Sequence, residues 1–174
     1  MLTIKQDEAL PESYPTLSPA VPDEVWQRIE SYIAWRYTPR TVVWTVEGCG
    51  EWTPPLTPAT ITKVEVWSDR VSAWDDITAT APDASPLGGY WLAASGPYRF
   101  TATVGSDATV PALVAKAAQR LSTYFAAKPG TPGARSERIE AGSISIQRTR
   151  SESWMAAAIQ NSGAADLLRG YRRA

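Results

Sequence analysis

The chain has 174 residues, with 17 basic and 18 acidic side chains, no histidine and one cysteine, Cys49. Without histidine there is no Ser-His-Asp triad, Cys-His pair or histidine-ligated zinc, and a lone cysteine forms no internal disulfide. No apolar run approaches the roughly 20 residues of a membrane span, and the net charge of −1 argues against bulk nucleic-acid binding, so we expect a non-enzymatic domain without metal, cofactor or membrane.

The first predicted helix begins after Pro22, whose backbone angle φ already suits a helix. Asp23 and Glu24 fall in its first turn, where the helix dipole favours anions. Pro39 disfavours helical geometry in the preceding residue, so the helix should end by Thr38. Its apolar face follows helical spacing and consists of Val25, Trp26, Ile29, Tyr32 and Ile33.

The pattern then changes to β-branched and aromatic residues in short runs separated by glycine and proline. We predict four or five antiparallel strands. Their positions are residues 41–46, 61–67, 72–80, 90–92 and 97–105.

A long second helix is predicted from Pro111 to Ala127, because apolar residues recur there at helical spacing and Pro129-Gly130 stops it. Residues 139–146 are predicted as a strand or an extended arm, and residues 154–160 as a short helix. The expected fold class is α+β: a small helical core, made of the long central helix plus N- and C-terminal helices, interrupted by an antiparallel β insertion. The predicted parts are an N-terminal arm and first helix (1–39), the β insertion (40–105), the long core helix (106–130), and a loop with a C-terminal docking segment (131–174).

Charge is segregated along the chain. Residues 1–34 carry two basic and six acidic side chains, residues 35–134 are balanced, and residues 135–174 carry seven arginines against four acids. Opposed ends favour head-to-tail contact between copies, or a basic tail that docks on another partner. A solvated surface with a chance bias is the alternative.

Candidate catalytic features are weak. Asp75-Asp76 has too few converging oxygens for a metal site and suits a turn. Gly88-Gly89 lacks the remainder of a phosphate-loop motif, and Cys49 has no histidine to activate its thiol.

Eight tryptophans allow two interpretations. They could stack sugars or single-stranded nucleic acid, or pack the core and interfaces. We favour packing, and keep a tryptophan-rich β module that binds carbohydrate as the alternative function.

The C-terminus combines apolar and basic residues. Its arginines could contact phosphates or an acidic protein groove, or the segment could be a frayed tail. The adjacent apolar side chains favour a protein groove, with the arginines setting register. The predicted docking residues are Leu167, Leu168, Tyr171, Arg172 and Arg173.

Three stretches together resemble the head–tail connector (adaptor) proteins of long-tailed phages and gene transfer agents. Residues 110–114 open the long helix with Val-Pro-Ala-Leu-Val. Residues 136–146 resemble the family's Ser-Glu-x-Ile…Ser-x-x segment, although Gly142 comes later than usual. Residues 167–173 resemble its terminal Leu-Leu-x-x-Tyr-Arg signature.

The resemblance implies a structural, non-enzymatic ring protein, typically of twelve copies, in the virion neck. Members lie below the portal, extend the DNA channel without gripping DNA, and receive the stopper or tail-terminator protein. Another neck or tail-completion protein is a further alternative, and before assembly the chain would be in the host cytoplasm. In such a ring, opposite faces of one subunit must be complementary. The predicted interface residues are Asp23, Glu24, Glu30, Arg135, Arg138, Ile139 and Ile144.

Overall fold

The computed structural model describes residues 2–86, 88–94, 96–127, 136–141, 144–149 and 154–172. The chain divides into two compact units. The first contains Met1–Pro15 and Ala34–Thr109, and the second contains Thr16–Ile33 and Val110–Ala174.

The described residues of the first unit contain eight strands. In chain order they are β1 (Leu2–Glu8), β2 (Arg40–Glu47), β3 (Gly50–Trp52), β4 (Ala59–Ser68), β5 (Ala73–Asp76), β6 (Asp83–Ala84), β7 (Tyr90–Leu92) and β8 (Tyr98–Val104). Five of them form an antiparallel sheet in the order β1-β2-β8-β4-β5, and three form a small antiparallel sheet in the order β3-β7-β6. A one-turn 3₁₀ helix, Thr78–Thr80, follows β5.

The core of the first unit lies between the two sheets. Strand β8 alternates buried and half-buried side chains along its whole length, which is the pattern of a strand with one face in the core. Trp52 of the small sheet stacks on Phe100 of the large sheet at 4.4 Å between ring centroids. Its edge meets Trp44 at 5.7 Å.

Helices and one hairpin build the second unit. They are α1 (Asp23–Ile33), α2 (Ala112–Ala126), the antiparallel strands β9 (Ser136–Ala141) and β10 (Ile144–Thr149), α3 (Ala158–Asn161), α4 (Ala164–Leu168) and a closing 3₁₀ turn (Arg169–Tyr171). Helix α2 contacts α1, α3 and α4. Its buried stripe is Val114, Ala117, Ala118 and Leu121, spaced as one face of a helix requires.

The α+β class and the antiparallel sheets predicted from the sequence are confirmed. Helix α1 ends at Ile33, before the predicted limit, because Ala34 adopts a left-handed φ of 56°. Residues 139–146 are predicted as a strand or an extended arm, and the described residues of this stretch belong to two antiparallel strands, β9 and β10. Residues 72–80, predicted as one strand, contain β5 and the 3₁₀ helix.

Strand β1 was not predicted. It pairs with β2 and is held by a carboxylate at its end. Glu8 accepts two hydrogen bonds from Arg36, with Nε at 2.5 Å and Nη2 at 2.8 Å, and Arg40 Nη1 lies 3.4 Å away. Both arginine side chains are buried, so Glu8 neutralises charge that would otherwise be costly inside the protein.

We predict that Glu8→Ala lowers the free energy of unfolding of the first unit by about 3 kcal/mol, because two buried guanidinium groups lose their carboxylate. Urea unfolding followed by tryptophan fluorescence measures this. Lys5→Ala is the matched control on the same strand, because the Lys5 side chain is 67% exposed and its ion pair should contribute less than 1 kcal/mol. Equal effects of the two substitutions would contradict the prediction.

Candidate interaction surfaces

The C-terminal segment, residues 154–172, packs against α1 and α2 of the second unit. Arg28 of α1 donates from Nη1 to the Met155 carbonyl at 2.8 Å. Tyr124 of α2 lies 5.9 Å from the ring of Trp154 and accepts a 3.3 Å hydrogen bond from Asn161. These contacts, with the buried faces of α3 and α4, give the segment a defined place in its own unit.

The predicted docking residues divide by burial. Leu168 is fully buried and belongs to the core of the second unit, Leu167 is half-buried, and Tyr171 is 37% exposed. The guanidinium of Arg172 lies 4.8 Å above the ring of a tyrosine in α1, so Arg172 also stabilises the segment's position. Arg173 lies outside the described residues. Among the described docking residues, Tyr171 and part of Leu167 are therefore the apolar groups available to a partner.

The predicted interface acids divide in the same way. Asp23 and Glu24 are exposed in the first turn of α1, whereas Glu30 is only 1% exposed. A contact between Glu30 and a partner would therefore require α1 to move away from the residues that bury Glu30. Arg135 and the side chain of Ile144 lie outside the described residues, so their interface role stays a prediction.

The β9–β10 hairpin carries the remaining predicted interface residues. Ile139 is paired across the strands with Ile146, and both side chains are nearly half exposed. Arg138 is exposed and pairs with Glu140 at 2.5 Å. A two-stranded hairpin is marginally stable alone in water, so an exposed isoleucine pair on it is a natural contact surface.

A charged cluster occupies the outer face of the large sheet. Arg99 donates to both oxygens of Glu65, at 2.6 and 2.7 Å, and Lys63 Nζ donates to Glu65 Oε1 at 2.8 Å. These hydrogen bonds, above all those from Arg99, lower the pKa of Glu65 to about 2. The Arg99 guanidinium also lies 4.5 Å from the ring centroid of Trp74. A carboxylate saturated in this way is a structural group and a poor proton carrier.

Asp76, considered above for metal binding, stabilises the turn that follows β5. Its Oδ1 accepts hydrogen bonds from the Thr78 backbone N–H at 2.9 Å and from the Thr78 hydroxyl at 2.6 Å. The hydroxyl bond, followed by the backbone bond, lowers the pKa of Asp76 below its usual range. Among the described residues, no group of three or more Cys, Asp or Glu side chains could hold a metal ion.

We predict that Glu65→Gln lowers the free energy of unfolding at pH 7 by about 2 kcal/mol, after allowance for solvent screening. The folded pKa is lower than the unfolded one, so this stabilisation is present above about pH 4.5 and is lost as pH falls towards 2. Urea unfolding at pH 7 and pH 2.5 should show a large difference between wild type and variant at the higher pH and a small one at the lower. A difference independent of pH would contradict the assignment.

The tryptophans contribute mainly to packing. Trp26, Trp44 and Trp52 are buried. Trp67 and Trp74 are half-buried and contact each other edge to face, at 5.5 Å between centroids. The two exposed tryptophans are separate: Trp91 lies on the small sheet, and Trp35 outside both sheets. The described residues therefore form no row of exposed tryptophans of the kind that a stacking platform needs.

An open groove of about 650 Å³ runs along α2 in the second unit. Its charged residues are Lys116 and Arg120, one helical turn apart, and its other polar groups are amides and hydroxyls. The described residues of the lining include no carboxylate, thiol or histidine. No helix within the described part of the chain has the length and apolar character that crossing a membrane requires.

Comparison with known proteins identifies the fold. No protein-family model matches the chain, and no curated protein matches it. A chain from the neck of a native gene transfer agent particle, computed with C12 symmetry, has a TM-score of 0.50 at 15% identity, over 80% of this chain and 78% of that chain. A chain from the virion of a native gene transfer agent particle has a TM-score of 0.49 at 14% identity, over 80% and 72% of the two chains.

Proposed function

We infer that this chain is a neck component of a phage or phage-like particle, because it shares the fold of a gene transfer agent neck chain over four fifths of its length. We propose that it is a structural head–tail adaptor of a phage or phage-like particle, that it forms a ring below the portal, and that the ring extends the DNA channel towards the stopper or tail. The shared fold carries the proposal. It is supported by the three sequence stretches that resemble adaptor proteins, because their order along the chain is a signal independent of the fold.

A ring is built from heterologous interfaces, in which two different surfaces of one subunit meet. The neck of the similar particle was computed with C12 symmetry, which supports a dodecamer here. The exposed isoleucine pair of the β9–β10 hairpin and the acidic first turn of α1 are suitable surfaces for such contacts. A near-neutral subunit also suits a channel through which DNA passes, because strong phosphate contacts would retard it.

Attachment to the portal is assigned to the C-terminal segment through two of the predicted docking residues, the exposed Tyr171 and the half-buried Leu167. Removing residues 164–174 would also remove the buried Ala164 and Leu168 from the second unit. Loss of attachment in that deletion would therefore not separate docking from folding. A point substitution at the exposed Tyr171 separates them.

We predict that Tyr171→Ala lowers affinity for the portal protein of the same particle at least roughly tenfold, as loss of an interface tyrosine can. Co-sedimentation of the full chain with assembled portal measures the affinity. Met155→Ala is the matched control, because Met155 lies in the same segment and is similarly exposed, at 42%.

Both variants should melt within a few degrees of the wild-type chain. Wild-type binding that Tyr171→Ala leaves unchanged would place the portal contact elsewhere on the adaptor. If the wild-type chain does not bind the portal, the proposed function is wrong.

A further inference from the structure

An exposed tryptophan on the small sheet lies between two carboxylates. In the register of the three strands, Trp91 of β7 is directly opposite Glu51 of β3 on one side and Asp83 of β6 on the other. All three side chains are exposed, and cross-strand neighbours on one face lie about 5 Å apart. We call these three residues the acidic tryptophan row.

The row has the chemistry to bind a guanidinium group. The face of an indole attracts a cation, and arginine stacks on it best, while flanking carboxylates can accept the guanidinium N–H groups. Trp91 is 58% exposed, an unusual amount for the largest apolar side chain. No cation of the described residues lies over its ring, and Asp83 forms no ion pair with them.

The first unit offers one matching group. Arg70 is exposed in the turn between β4 and β5 and forms no hydrogen bond or ion pair with described residues. The described part of this unit contains five other arginines and lysines, and each has an ion-pair partner. These five are Lys5, Arg36, Arg40, Lys63 and Arg99.

Contacts between side chains at the ends of β4 and β5 stabilise the turn that carries Arg70. Trp67 and Trp74 pack edge to face across the two strands, and Trp67 Nε1 donates to Asp69 at 2.9 Å. Val71, next to Arg70, is 55% exposed. The turn therefore presents a cation and an apolar side chain together, which is the complement of two carboxylates around an indole.

We propose that the β4–β5 turn of one copy docks on the acidic tryptophan row of a second copy, with Arg70 on the two carboxylates and the indole ring, and Val71 beside the indole. The two surfaces are different parts of one subunit, so the contact is heterologous and can repeat around a ring. This inference deepens the proposed function: it rests on the ring and names one of its contacts.

A native cysteine makes the contact testable. Cys49 is exposed and directly precedes β3, two residues from Glu51. A cysteine introduced by Val71→Cys or Ser72→Cys should come close enough to Cys49 of the second copy for a disulfide, which needs the two Cα atoms within about 7 Å. Mild oxidation of the full chain at high concentration should then give a ladder of linked oligomers on a non-reducing gel. If neither variant gives linked oligomers above the control level, or if mass analysis finds only an internal disulfide, the proposal is overturned.

Two controls separate this contact from random collision. Adding Cys49→Ser should abolish the ladder, and Thr60→Cys, at an exposed position of β4 away from the turn, should give none. Adding Arg70→Glu to Val71→Cys should slow linking about tenfold, since cation–π and charge contacts are lost. Adding Glu51→Lys as well should restore linking in part. Linking that is insensitive to Arg70→Glu would overturn the role assigned to that residue.

Particle assembly distinguishes failure of this inference from failure of the proposed function. If wild-type chain forms rings on the portal and Arg70→Glu with Trp91→Ala forms them equally well, the adaptor assignment stands and this contact is wrong. If the wild-type chain makes no ring on the portal while the disulfide ladder forms, the contact stands and the adaptor assignment is wrong.

Discussion

The first unit depends on one side chain, Trp52, which joins its two sheets. Its ring stacks on Phe100 and meets Trp44, and its Nε1 donates a 3.0 Å hydrogen bond to Thr3 of β1. Gly89 packs directly against the backbone of Trp52. A Cβ at position 89 would lie 2.1 Å from the Trp52 carbonyl oxygen. One residue thus connects the small sheet, the centre of the large sheet and its edge strand, and it positions the surface that carries Trp91.

Arginine–carboxylate pairs stabilise the same unit at two further places. Glu8 with Arg36 secures the end of the edge strand, and Glu65 with Arg99 secures the outer face of the large sheet. Bidentate pairs of this kind hold a defined geometry as well as charge. A rigid sheet unit suits a part that must present the same surfaces to each neighbour in an assembly.

The sequence predicts elements whose signal is local. Helix α2 was predicted within one residue at each end, because its apolar stripe and flanking prolines are contained in that stretch. Strand β1 was not predicted because its side chains are mostly exposed and polar. Arg36, which holds Glu8 at the end of this strand, lies 28 residues further along the chain. The acidic tryptophan row was not predicted either. Its three residues are far apart in the sequence and become neighbours only through the register of the strands. The sequence predicts C-terminal helices but does not tell whether the apolar side chain of Leu168 packs in its own unit or against a partner.

The proposed function requires a ring of copies of this chain bound to a portal. Mass photometry of assembled portal, before and after saturation with the full chain, tests this most directly. The predicted result is one discrete complex, heavier than the portal by about twelve chain masses of 18.9 kDa each. Saturation with no added mass, or with one or two chains per portal, would contradict the account.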